Sequence, residues 1–200
     1  MNWRRRLLQF AQQTDGSTHE DGIGLTNRVD RVAAFNPAIL AIRWAVTITS
    51  EALASREYGD ALLSMAIWSG LLIAYTVVRT FRPIRYMGDV RSLTAVLGEV
   101  ALFSVCLITT GFWGSPFILT LLTAIAVAGF ARGVAFAIRV ALTAAVVVTL
   151  PYLAEDAVEA RVVESGQWTL VLLLVAIIAG YARRISGEAD RQHNLALERL

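Results

Sequence analysis

Lysine is absent from this chain of 200 residues, and all 18 of its basic side chains are arginine. Cysteine occurs once, as Cys106, so no internal disulfide can form and the disulfide-rich secreted class is excluded. Its place inside an apolar run reads as a buried, inert thiol. There are two histidines, His19 and His193, and both lie outside the apolar runs, so no Ser–His dyad can form inside a membrane. No group of His, Cys and carboxylates has metal-ligand spacing, and no GxxxxGK[ST] loop is present to hold phosphates. Catalytic, metal and cofactor-binding residues are therefore expected to be absent from this chain. Charge is scarce too, at 17% of residues against about 25% in soluble domains. A net charge of +2, with arginines that form no single stripe, argues against nucleic acid as a partner. Glycine (14) and proline (4) are ordinary, which removes collagen-like and Gly/Pro-rich disordered chains.

What is abundant is apolar sequence: 56% of residues, with a mean hydropathy of +0.57. It is gathered into runs of about 17–20 residues, the length that crosses a hydrocarbon core of roughly 30 Å. The reading is an all-α, polytopic membrane helix bundle with the lipid bilayer as its first partner. Asn36-Pro37 offers an N-cap with proline at the first helical position and opens a first span to Ala54. Further spans are expected at Ala61–Val78, Ser92–Thr110, Ser115–Ala131, Val134–Leu150 (closed by Pro151) and Trp168–Ala182. That makes six transmembrane helices over residues 36–182. Residues 1–35 form a cytoplasmic N-terminal segment in which Trp3, Leu7, Phe10 and Ala11 beside Arg4, Arg5 and Arg6 suggest a basic amphipathic helix. Only Leu7-Leu8 follows those arginines, so no signal-peptide core develops. Residues 154–167 read as an outer solvated loop, with a short surface helix that caps the bundle like a lid as the alternative.

Arginine placement orients the bundle. With the N-terminus inside, the inner segments hold Arg4, Arg5, Arg6, Arg28, Arg31, Arg79, Arg82, Arg85, Arg91, Arg132, Arg183, Arg184, Arg191 and Arg199. The outer loops hold only Arg56 and Arg161. Both termini are thus expected in the cytoplasm of a bacterium, with the spans in its plasma membrane.

Ionisable residues inside spans are costly in lipid and so draw attention. Arg43, Glu99 and Arg139 each fall five to six residues from the inner start of their span, about 8–9 Å deep. Equal depth allows an intramembrane polar cluster, with Arg139–Glu99 as the expected pair. Gly129 and Gly133 form a GxxxG that permits close helix packing.

The last span runs on into polar helix. Ala182, Ile185, Ala189, His193, Ala196 and Leu200 recur near 3.5 spacing, a weak coiled-coil seam for a linker over 183–200. No Gly, Asn or Pro stop closes this helix, so the chain reads as the front of something longer. The Ala182-Arg183-Arg184 exit and the run Glu188-Ala189-Asp190-Arg191-Gln192-His193-Asn194-Leu195-Ala196-Leu197-Glu198-Arg199-Leu200 resemble the membrane-to-cytoplasm linker of actinobacterial sensor histidine kinases. The stretches Trp113–Leu119 and Ala128–Gly133 are similar to the middle spans of that family. The resemblance implies the N-terminal sensory and anchoring region of a two-component kinase, acting as a homodimer. ATP and a response regulator would then be bound by domains outside this chain. Its phospho-histidine motif and ATP-binding boxes are absent here, so no catalytic residue transfers. Two rival readings are a small transporter or channel using Glu99 and Arg139, and a structural membrane subunit.

Overall fold

The computed structural model describes residues 37–56, 62–81, 90–154 and 158–197. They form six helices: α1 (Pro37–Ala54), α2 (Leu62–Phe81), α3 (Val90–Thr110), α4 (Ile118–Arg132), α5 (Val134–Leu153) and α6 (Val158–Leu197). A 3₁₀ turn, Phe112–Gly114, joins α3 to α4. No strand occurs among the described residues. The expected amphipathic helix near Trp3 lies outside them.

Five of the six helices are long and apolar enough to cross a membrane: Pro37–Ala54, Leu63–Phe81, Ser92–Thr110, Val134–Leu153 and Glu159–Ile185. α4 is apolar but has 15 residues, about 22 Å, and falls short of that length. It is also the most enclosed helix, with ten of its fifteen residues buried.

Side-chain contacts fix the direction of each helix. On α1 and α2, Thr47 meets Thr76 (2.9 Å) and the Trp44 indole donates to Thr80 (3.2 Å), so residue numbers rise on one as they fall on the other. Ser64 at the start of α2 donates to the Thr109 carbonyl at the end of α3 (3.1 Å). Trp113 stacks on Trp168 and Phe112 meets Tyr152 at a tilt, joining the α3–α4 turn to the end of α5 and the start of α6. At the opposite end Arg183 of α6 donates to the Ala131 carbonyl, beside the α4–α5 turn. Successive helices therefore alternate in direction. The end holding the starts of α1, α3 and α5 is called the near end below, and the other the far end.

Local chemistry explains the turns. Gly111 (φ 116°) and Phe112 (φ 55°) both take left-handed backbone, which reverses the chain sharply after α3. Ser115 then accepts from Thr110 or donates to it (2.6 Å) and accepts from the Phe117 N–H (3.2 Å); α4 itself begins at Ile118 with Phe117 at its N-cap, two residues later than the Ser-Pro start predicts. α4 ends where the Gly133 N–H bonds the Gly129 carbonyl (2.8 Å) and Gly133 adopts φ 86°, a conformation that side chains resist. The Gly133 carbonyl accepts from Ala137 (3.1 Å), so α5 restarts at once.

Two expectations need correction. Pro151 does not close α5; the helix runs to Leu153, because a proline in the last turn removes only one ladder bond and Tyr152 is held by the far-end cluster. The outer loop over 154–167 is mostly helix: α6 starts at Val158, with Glu164 accepting from the Tyr152 hydroxyl (2.5 Å) and Arg161 donating to the Tyr152 carbonyl (3.0 Å). The charged residues there mark the edge of the apolar run, not the start of the helix.

The surface is apolar and the interior partly polar, the reverse of a soluble domain. Leu63, Ile67, Val78, Phe81, Leu150 and Leu170 are exposed, while Ser50, Thr47, Ser104, Thr110 and Glu99 are buried. Such an exposed apolar surface suits lipid contact. Most hydroxyls bond a carbonyl of the preceding turn of their own helix, as Thr47 does to Arg43 (2.8 Å), Ser104 to Val100 (2.8 Å) and Thr80 to Thr76 (2.9 Å). These are satisfied without water, whereas the buried Ser50, Ser69 and Ser165 hydroxyls have no hydrogen-bond partner among the described residues.

Close packing of α6 on α4 and α5 rests on glycine. A Cβ on Gly129 would stand 2.8 Å from that of Ala179, and one on Gly180 would stand 2.5 Å from the Val134 Cα. Gly70 and Gly166, also helical, have open space around them. Gly180→Ala should cost about 1–3 kcal/mol through overpacking and lower the melting temperature in detergent. Gly70→Ala should leave it unchanged or raise it, since alanine is the better helix former by up to about 1 kcal/mol.

Candidate functional site

α1 presents Ile39, Arg43, Thr47, Ser50 and Ala54 to the bundle, a buried stripe that is small and polar after its first member. α3 presents Val96, Glu99, Phe103 and Ser104. The two stripes bring Arg43 against Glu99. Nη1 lies 2.6 Å from Oε1, and Nη2 donates to Oε2 at 2.9 Å. Both residues are buried, 7% and 3% exposed. One carboxylate oxygen accepts a hydrogen bond, and the other lies within ion-pair distance of the same guanidinium.

A shell of polar and aromatic groups surrounds the pair. The Arg43 guanidinium lies 5.6 Å from the centre of the Tyr75 ring, and that of Arg79 4.9 Å from it. The Arg79 Nε donates to the Tyr75 hydroxyl (2.8 Å), and Phe103 meets the same ring edge-on at 5.6 Å. Tyr75 thus joins two cations, one buried and one half-buried near the near end. Thr47 and Thr76 bond one another on the far side. Thr120 and Thr123 of α4 complete a cavity of about 10 Å³ against Arg43, Tyr75 and Glu99, room for about one water molecule.

Such an arrangement fastens α1 to α3 at a depth where few other groups can carry charge. Neutralising either partner would leave the other charged and buried, the costly state.

Of the three residues expected to cluster, the structure joins two. Arg139 does not meet Glu99; its side chain is exposed. The reason is azimuth. α5 turns Ala137, Ala141, Ala144 and Val148 inward, and position 139 lies about 160–200° around the helix from Ala137 and Ala141. Depth was shared by all three residues, but facing was not. The alanine stripe of α5 was the signal for this, since small residues mark the packed side of a membrane helix. Tyr75, Arg79, Thr47 and Thr76 were not singled out from sequence. Tyrosine and threonine in an apolar run are common, and only the three-dimensional neighbourhood makes them a shell.

Gly129 packs against α6, whereas Gly133 serves the turn. Of the linker seam, Ala182 is half-buried and Ile185 exposed. Ala189, His193 and Ala196 lie on helix whose side chains are outside the described set, and Leu200 is outside the described residues altogether. Among the described residues no group of three or more His, Cys, Asp or Glu could hold a metal ion.

No protein family, curated protein or solved structure matches the chain.

The ion pair makes a direct prediction. Arg43→Ala and Glu99→Ala should each lose about 3–5 kcal/mol of stability in detergent, while Arg43→Met with Glu99→Met should lose less than either single change. Arg139→Ala should combine with Glu99→Ala additively, within about 0.5 kcal/mol. Unfolding of the singles and doubles, followed by circular dichroism, measures all of these.

Proposed function

We propose that this chain is the membrane-embedded sensory and anchoring region of a two-component sensor histidine kinase, working as a homodimer in a bacterial plasma membrane. One observation carries the reading: α6 is a single helix of 40 residues. At 1.5 Å per residue it measures about 60 Å, twice the hydrocarbon core. It begins in the far-end aromatic cluster and passes the α4–α5 turn at Gly180 and Arg183. From Tyr181 to Leu197 it continues for about 25 Å. A rod seated along the whole bundle and projecting from one end converts a shift inside the membrane into a shift outside it. That is the task of a signalling helix. ATP binding, phosphotransfer and the response regulator would belong to domains outside these residues.

In this proposal α4 is a sixth crossing, since it runs from the far end to the near end like the others. Its short length is tolerated because protein, not lipid, covers it. Six crossings put both termini on one side, and the arginine bias makes that side the cytoplasm. The alternative reading, a small transporter, draws on the buried Arg43–Glu99 pair and its cavity. It would use Glu99 as a proton carrier.

Reporter fusions after Gly59, Arg85, Gly114, Gly133 and Glu159 should read outside, inside, outside, inside, outside. Fusions after Gly114 and Gly133 on the same side would reduce the bundle to five crossings. In a Cys106→Ala background, single cysteines at Ala189 and Ala196 should cross-link between copies more readily than at Asp190 or Leu197. Equal cross-linking at all four, or none at any, would remove the paired linker and with it the kinase reading. Proton uptake into vesicles that Glu99→Gln abolishes would favour the transporter.

A further inference from the structure

Arg139 is a cation on the lipid-facing side of a membrane helix. It lies inside the apolar segment Val134–Leu153, five residues after its start, about 7.5 Å from the near end. Its neighbours along the same stripe, Ala135, Leu142, Val146 and Leu150, are all exposed. It makes no side-chain hydrogen bond or ion pair among the described residues, and only its carbonyl is engaged, by the Thr143 hydroxyl (2.9 Å). Such a group cannot rest in hydrocarbon, and among the described residues no carboxylate pairs with it.

Three features direct the side chain to one partner. Cα–Cβ bonds on a helix tilt toward its N-terminus, and α5 begins at the near end, so the side chain leans toward the headgroups. The residue one turn ahead on that path is Ala135, small enough to let the guanidinium pass over it. The near end is already positive. Arg132 lies 5.7 Å from the Phe136 ring, three residues before Arg139 on α5, and Arg183 and Arg184 follow on α6. A second positive centre close by favours a headgroup of net negative charge over a zwitterionic one. The apolar stripe from Leu142 to Leu150 continues from the guanidinium toward the far end and matches an acyl chain.

We propose that Arg139 is the phosphate-binding residue of a site for an anionic glycerophospholipid in the near-end leaflet. The headgroup phosphate accepts from the guanidinium, and an acyl chain lies along Leu142, Val146 and Leu150. The site requires only that the bundle span a membrane. It stands whether the protein signals or transports.

The test is lipid selectivity. The full chain is purified in detergent after incubation with vesicles of phosphatidylglycerol and phosphatidylcholine in equal amounts with matched acyl chains. The lipids it retains are then counted by mass spectrometry. The wild-type chain should retain phosphatidylglycerol in excess. Arg139→Gln should lower that excess about fivefold, the weight of one arginine at a membrane surface. Arg139→Lys should keep most of it, and Arg56→Gln, whose exposed side chain lies at the far end, should leave it unchanged. Because the Arg139 side chain is exposed and makes no hydrogen bond or ion pair among the described residues, its variants should melt at the wild-type temperature, which separates lost lipid from lost fold. Equal retention of the two lipids by the wild type, or an unchanged ratio in Arg139→Gln, would overturn the proposal.

Discussion

The Arg43–Glu99 pair is the constraint around which the first half of the bundle is arranged. Neither charge could be carried through hydrocarbon alone, so α1 and α3 must lie side by side at the depth and rotation that bring them together. α2 is then set by what surrounds the pair: Tyr75 between two guanidiniums, and Thr76 against Thr47. Beyond Ile39, the buried face of α1 is made of polar and small residues. Hydrophobic burial holds little of α1 in place. Lipid is as apolar as leucine, so helices here associate through shape and polar contacts.

The second half of the bundle follows a different rule. α4, α5 and α6 bury Ala124, Ala128, Gly129, Ala137, Ala141, Ala144, Ala176 and Gly180, with Leu121, Ile125, Val148 and Leu172 filling the space among them. Small residues let three backbones approach closely, and at Gly129 and Gly180 the fit leaves no room for a methyl group. Two different adhesives therefore share one molecule, an ion pair with its polar shell on one side and glycine–alanine packing on the other. α6 belongs wholly to the second, which gives it a rigid seat from Trp168 to Arg183.

Much of this was legible in the sequence. The apolar runs marked the helices, Pro37 fell at the first turn of α1, and Ser115-Pro116 marked the approach to α4. The failures share a cause. Hydropathy locates the membrane-facing part of a helix and not the helix itself. Glu159, Arg161 and Glu164 therefore read as loop, although no proline interrupts 158–197 and α6 is helical throughout. Position along a helix likewise does not give rotation around it, which is why Arg139 was matched to Glu99 when Arg43 holds that place. The alanine stripe of α5 contained the missing angle. The polar shell was beyond reach, because Tyr75 meets Arg43 and Thr76 meets Thr47 across more than twenty positions of sequence.

A signalling role for the chain stands on α6 being one unbroken rod across the membrane boundary, with Gly187 no hinge. Spin labels on cysteines at Val163 and Asn194, in a Cys106→Ala background and in lipid nanodiscs, measure this by pulsed dipolar spectroscopy. A straight helix places the two backbone positions about 46 Å apart. The account predicts one narrow distance distribution near that value within a single chain, read from samples diluted with unlabelled protein. A broad distribution, or one centred well below it, would mean that the helix bends or frays between the bundle and its projecting end, and a rigid signalling helix would be contradicted.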